Sequence, residues 1–154
     1  MQKSIFLTLL TICMILSFNC QVADQKNMNN NLSVDESILL LSITSDAQKD
    51  PHSVTMALQL AGHALDYGKK AVLFFNVRGV TVPTKNFPED LAFHAKPIKL
   101  LLSELMAKGA NVQVCPHCME ALNVKAEDLL EGAQITDREK LFSQLGSNTQ
   151  VFTY

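Results

Sequence analysis

Tryptophan is absent from the 154 residues and tyrosine occurs twice, so a surface that stacks nucleic-acid bases on aromatic rings has almost nothing to be built from. Excess positive charge is missing too. Thirteen Lys and Arg face 15 Asp and Glu, for a formal net charge of -2, and without a basic face nucleic acid is not an expected partner. No G-x-G-x-x-G, Walker loop or G-x-S-x-G occurs, which removes the signatures of dinucleotide, phosphate-loop and nucleophile-elbow chemistry; no cofactor is expected. Cysteine is limited to four residues. Cys115 and Cys118 have ligand-like spacing, but a structural zinc site needs four donors and no second pair exists, so no metal is expected. His52, His94 and His117 could complete such a site only if the fold gathered them, and His63 falls on the outer face of a helix. No internal repeat is visible.

What is present fits one folded domain with a leader. The apolar fraction is 47% and the charged fraction 18%, which is globular rather than disordered composition. Lys3 precedes an apolar run over 5–18, IFLTLLTICMILSF. A membrane-spanning helix needs about 20 such residues, so the run is short for a span and suited to a signal peptide. Cys20 follows directly and resembles the lipid-modified cysteine of a bacterial lipoprotein signal, although Ser17-Phe18-Asn19 departs from the usual Leu-small-small pattern. Plain secretion and an uncleaved anchor are the other two readings of the segment. The expected organisation is therefore a signal peptide over 1–20, possible lipidation at Cys20, a polar Asn-rich tether over 21–36, and a domain over 37–154. The expected location is outside the cytosol, periplasmic or as a membrane-anchored lipoprotein, touching membrane only through the N-terminal anchor.

Within the domain, apolar runs of strand length alternate with helical periodicity. Ile38–Ile43 and 71–75 lack polar alternation, as strands buried on both faces do. Between them, Asp50-Pro51 opens a helix whose stripe is Val54, Ala57, Leu58, Ala61 and Leu65, ended by Gly68. A long irregular stretch covers 76–96. Pro97 opens a second helix carrying Ile98, Leu101, Leu102, Leu105 and Met106. A third strand covers 111–115, a turn or short helix 116–122, and a helical segment 126–130. Asp137 caps a last helix with Leu141, Phe142 and Leu145, stopped by Gly146, and 150–152 forms a closing strand. The alternation specifies an α/β domain with a mostly parallel sheet covered by helices on both faces. Sites in such sheets form at the carboxyl ends of strands, which selects the loops 45–52, 76–82 and the turn from Cys115. The adjacent carboxylates Glu89-Asp90 and Glu127-Asp128 are expected as first-turn charges near helix N-termini.

Chemistry concentrates at Cys115-Pro116-His117-Cys118. Cys115 lies where a strand passes into a helical turn, a setting that favours thiolate through the helix dipole and free N–H groups. Cys118, three residues on, falls on the same side, and His117 offers thiolate support. A structural disulfide, or a pair of small buried hydrophobes, is the alternative.

These residues, with Asp50-Pro51, the helix bearing Ala57, Leu60 and Ala61, the run Phe74-Phe75-Asn76-Val77-Arg78-Gly79-Val80, and Asp128-Leu129-Leu130-Glu131-Gly132-Ala133, resemble the DsrE/DsrF-like family, which includes YchN-like and TusD-type sulfur-relay domains. The resemblance spans about 37–154. It implies a single-domain, flavodoxin-like parallel sheet, assembly as a homo-oligomer (trimer or hexamer), and a persulfide-carrying cysteine at the position of Cys115, with a thiol or persulfide partner protein. Arg78 and export both depart from the relay members. Cys-Pro-His-Cys is also identical to the motif of DsbA-type thiol oxidases, though here it follows the third strand rather than an early one. Three functions stand open: sulfur or thiol handling by Cys115 with Cys118, a non-catalytic oligomeric binding module, and thiol–disulfide exchange.

Overall fold

A computed structural model describes residues 37–154. The chain divides into Met1–Asp35 and Glu36–Tyr154. The expected signal peptide 1–20, Cys20 and the tether 21–36 lie outside the described residues.

The first strand, β1, is Ile38–Ile43, followed by α1 at Pro51–Asp66 and β2 at Lys70–Phe75. A 3-10 turn at Gly79–Thr81 and a small hairpin of β3 (Ala92–Phe93) and β4 (Lys96–Pro97) lead to α2, Ile98–Ala107. Then come β5 at Asn111–Val114, α3 at Pro116–Ala121, a 3-10 turn at Ala126–Asp128, β6 at Gln134–Ile135, α4 at Arg138–Phe142 and β7 at Thr149–Thr153. The main sheet is parallel throughout, in the order β6-β5-β2-β1-β7.

The helices form where their ends are chemically marked. Asp50 accepts the Ser53 N–H at 3.0 Å as N-cap, Pro51 takes the first helical position, and Gly68 turns the chain out at φ +72. The Ser53 hydroxyl and N–H hold the Asp50 carboxyl below its usual 3.8. Leu39, Leu41 and Ile43 of β1 lie on one face with Ala71, Leu73, Phe75, Val112 and Val114, and pack against Val54, Leu58, Ile98 and Leu102 of α1 and α2. The successive right-handed β1-α1-β2 and β2-α2-β5 units run in one direction across the sheet, which places both helices on that face.

The opposite face carries Leu40, Ser42, Val72, Phe74, Asn111 and Gln113. The segments before and after α4 reach it, Gln144 Oε1 accepting from Asn111 Nδ2 at 2.7 Å and Thr136 Oγ1 making a buried bond to Gln113 Oε1 at 2.7 Å. The helix expected there is shorter than its apolar pattern. It ends at Phe142, and Leu145 N bonds Phe142 O in a tightened turn. Phe142 is 62% exposed rather than part of a buried stripe.

One further expectation changes for a tertiary reason. The segment 126–130 makes only a 3-10 turn, because Leu129 is drawn into an antiparallel bridge with Thr84 and Leu130 N bonds Pro83 O. The long irregular stretch 76–96 sends Val80, Val82 and Phe87 into the core. Neither carboxylate pair sits as two facing acids: Glu89 bonds Lys99 Nζ, and Asp128 Oδ2 accepts from Lys125 N. Among the described residues, no helix is long and apolar enough to cross a membrane.

Candidate functional site

The carboxyl ends of β1, β2 and β5 present three loops, and two of them meet. Cys115 N bonds Phe75 O at 2.9 Å, carrying the β5–β2 ladder one residue past the strand. Pro116 then starts α3, with Cys115 as its N-cap residue. Met119 on the inner side of α3 is buried in the core and fixes the turn. One turn after Cys115, Cys118 Sγ accepts the Val77 N–H at 3.1 Å, so the loop after β2 closes on the thiol of α3. Cys115 and Cys118 are free thiols, each half-buried, and His117 is exposed.

Burial pushes the Cys118 thiol up from its usual 9.0, its hydrogen bond to Cys115 pushes the same way, and the Val77 N–H opposes them. The Cys118 thiolate is therefore disfavoured in the folded chain. A folded-state thiol raised above its unfolded value contributes stability below that unfolded value, and this is lost as pH rises through the folded one. Labelling of Cys118 with iodoacetamide is accordingly expected to rise at higher pH than labelling of the same residue in the urea-unfolded chain, and stability to fall on the alkaline side of pH 9.0. Coincident labelling profiles in folded and unfolded chains would show that burial does not raise the Cys118 thiol.

The loop that reaches Cys118 is strained and pinned. Val77 has φ +48, a left-handed conformation unusual for a β-branched residue. It is held there by Asn76 N to Ile43 O at 3.0 Å, Arg78 N to Thr44 O at 3.2 Å, and Asn76 Nδ2 to Ser42 Oγ at 2.9 Å. Asn tolerates this region far better than Val, and the Val77 side chain is 54% exposed with little packing to lose. Val77→Asn is expected to stabilise the protein by about 1 kcal/mol, seen as a higher urea midpoint at unchanged m-value. An unchanged or lower midpoint would show that Val77 carries no releasable strain.

The third expected loop does not join. Thr44 N, Ser45 N and Thr44 Oγ1 all donate to Tyr154 O, at 2.6, 3.3 and 2.7 Å. The crevice between β1 and β7, where the strand order reverses and ligands commonly bind, is therefore filled by the protein's own backbone. His52 and His94 both pack on the Phe93 ring, with centroids 4.1 and 4.2 Å away, whereas His117 lies beside Cys115. Among the described residues, no group of three or more His, Cys, Asp or Glu is arranged to hold a metal ion.

Beside Cys115 on the second sheet face opens a groove of about 370 Å³, lined by Phe74, Cys115, Pro116, His117, Thr136, Asp137, Arg138, Leu141 and Phe142. Sequence reasoning found Cys115 and His117 but not the rest of this lining. β6 beside β5 brings Thr136 and Arg138 to the thiol, with Thr136 N bonded to Val114 O at 3.0 Å. A two-residue strand has no periodicity to reveal it.

Known proteins resemble this chain in sequence or in fold. MJ0989, an uncharacterized protein of Methanocaldococcus jannaschii, is 29% identical over 113 residues, spanning 73% of this chain and 96% of its own. The YchN structure from E. coli matches with TM-score 0.57 and 18% identity, over 77% of this chain and 99% of that one. MTH1491 of Methanobacterium thermoautotrophicum, a protein of unknown function, matches with TM-score 0.58 and 15% identity over the same shares. The family model of the DsrE/DsrF-like family matches residues 39–154, and the chain belongs to that family.

Proposed function

We propose that this protein handles sulfane sulfur outside the cytosol, with Cys115 as the accepting nucleophile and Cys118 as its resolving partner. The observation that carries the reading is the placement of two half-buried free thiols one turn apart, Cys115 at the N-cap of α3 and Cys118 with its sulfur accepting the Val77 N–H at 3.1 Å. Cys115 thiolate attacks the outer sulfur of a persulfide R–S–SH. The new bond joins Cys115 Sγ to that outer sulfur, the S–S bond of the donor breaks, and RS⁻ leaves. If Cys118 then attacks Cys115 Sγ, a Cys115–Cys118 disulfide forms and sulfide leaves, taking the Cys118 proton as HS⁻ or H₂S. Neither step needs an outside oxidant. His117 stands near enough to the groove to support the anionic sulfur.

The test is loading. The reduced full-length chain, exposed to inorganic polysulfide and analysed by fragment-resolved mass spectrometry, is expected to gain one sulfur on Cys115. Labelling of both cysteines no faster than in the unfolded chain would instead leave a non-catalytic binding module.

Thiol–disulfide exchange is the second reading, favoured by the Cys-Pro-His-Cys motif itself. A strong oxidant must stabilise its reduced thiolate form, and here the motif follows β5 inside a five-stranded parallel sheet rather than an early strand as in DsbA-type oxidases. The pair is expected to be mainly disulfide in a glutathione buffer poised at roughly -180 to -210 mV. A pair that stays reduced there would promote the oxidase reading.

Export rests on the apolar run 5–18 and lipid anchoring on Cys20; the intact mass of the native protein reports both. Homo-oligomer formation, as trimer or hexamer, is supported by the edge strand β7, whose Val151 and Phe152 are 57% and 46% exposed. A monomer mass by light scattering at micromolar concentration would refute it.

A further inference from the structure

The groove beside Cys115 has an unusual division of polar groups. Its floor and walls are apolar, from Phe74, Pro116, Leu141 and Phe142. Among its polar members, Thr136 Oγ1 is committed to Gln113 Oε1, and Asp137 Oδ1 accepts the Lys140 N–H as the cap of α4. Arg138 and His117 are exposed and, among the described residues, have no hydrogen-bond or ion-pair partner. The uncommitted side chains that face an occupant near the Cys115 sulfur are thus one permanent cation, an imidazole and the thiol itself. The competing charge is the second oxygen of Asp137. A volume of about 370 Å³ suits a small molecule; a folded partner would need a surface rather than a slot.

From this arrangement we propose that the groove seats a small organic sulfur donor, a persulfide or disulfide with an apolar body and a carboxylate or sulfonate. Its anion pairs with Arg138, its body lies on Phe74 and Phe142, and its sulfur meets Cys115. The guanidinium fork matches such planar or tripodal anions by paired hydrogen bonds. Cys115 thiolate attacks the sulfur of R–S–S–R, one Cys115–S–R bond forms, the S–S bond breaks, and RS⁻ leaves; with a persulfide the outer sulfur is transferred and the same RS⁻ leaves. Arg138 is a specificity residue for whichever donor enters. The inference rests on the reading of Cys115 as the reactive thiol, and its test separates the two.

The test uses the full-length chain carrying Cys118→Ser, so that the first adduct on Cys115 is trapped, with adducts located by peptide mass. Two aromatic disulfides serve as probes, the dianionic 5,5′-dithiobis(2-nitrobenzoate) and the neutral 4,4′-dithiodipyridine. Each rate is divided by that of the urea-unfolded chain, to remove intrinsic differences between reagents. The anionic-to-neutral ratio is expected to favour the anion. Arg138→Ala should lower it about fivefold, the scale of one exposed charge contact. Arg138→Lys should keep part of it, and Asp137→Asn, which retains the cap but removes the opposing charge, should raise it. A ratio unmoved by all three variants while Cys115 still reacts fast with both probes overturns the groove assignment and leaves the sulfur-handling reading intact, pointing instead to a protein-borne donor. A Cys115 no faster than in the unfolded chain overturns both.

Discussion

Gly79→Ala is expected to lower stability by about 4 kcal/mol, a fall in Tm of about 15 °C for a domain of this size. The cause is space and not backbone freedom, since Gly79 does not have a positive φ. A Cβ at Gly79 would lie 2.1 Å from Ile43 O and 2.9 Å from Ile43 C. Both are backbone atoms at the end of β1, in the centre of a sheet that cannot yield without breaking its ladder to β2. The loop must move instead, and Asn76 N to Ile43 O is among the bonds it would lose. The same movement withdraws the Val77 N–H from Cys118. A second readout follows at the site: in any folded fraction of the variant, the Cys118 labelling profile should shift toward still higher pH, because the one contact that favours its thiolate is gone. A Tm within about 3 °C of the parent, with an unchanged Cys118 profile, would show that the loop does not rest on β1 as described.

Exchange of the two cysteines for serine is expected to give opposite outcomes, and this is the largest functional effect. With Cys115→Ser, polysulfide loading drops to the background of the unfolded chain, a loss of several orders of magnitude of the kind seen when a nucleophile is removed. Cys118 does not substitute for it, because burial pushes its thiol up and disfavours the thiolate. With Cys118→Ser, loading at Cys115 persists and the added sulfur lasts longer, since no neighbouring thiol can displace it as sulfide. Sulfide release, followed with a sulfide-selective electrode, should disappear in both variants but for these different reasons. Loading that is lost equally in both would mean that the pair acts only as a disulfide. Loading retained in Cys115→Ser would reverse the assignment of roles.

Much of the fold is determined by the sequence alone. Apolar runs over Ile38–Ile43 and 71–75 make β1 and β2, because a strand buried on both faces has no polar alternation to keep. Asp50-Pro51 and Gly68 bound α1 through local chemistry that needs no tertiary partner. The Cys115–Cys118 spacing is likewise local: whatever the surroundings, one helical turn puts the two sulfurs on the same side. Tertiary structure decided what lay between distant segments. The partner of Cys118 is Val77, 41 residues earlier, and Arg138 reaches the Cys115 groove only because β6 pairs with β5. The turn at 126–128 replaced a helix because a bridge to Thr84 competed for its backbone. The crevice between β1 and β7 closed because Tyr154 O took its donors. Periodicity and capping report a residue's preference for its near neighbours. They carry no record of which remote backbone group will claim its hydrogen bonds, and at this site those remote claims set which N–H reaches Cys118 and what lines the space beside Cys115.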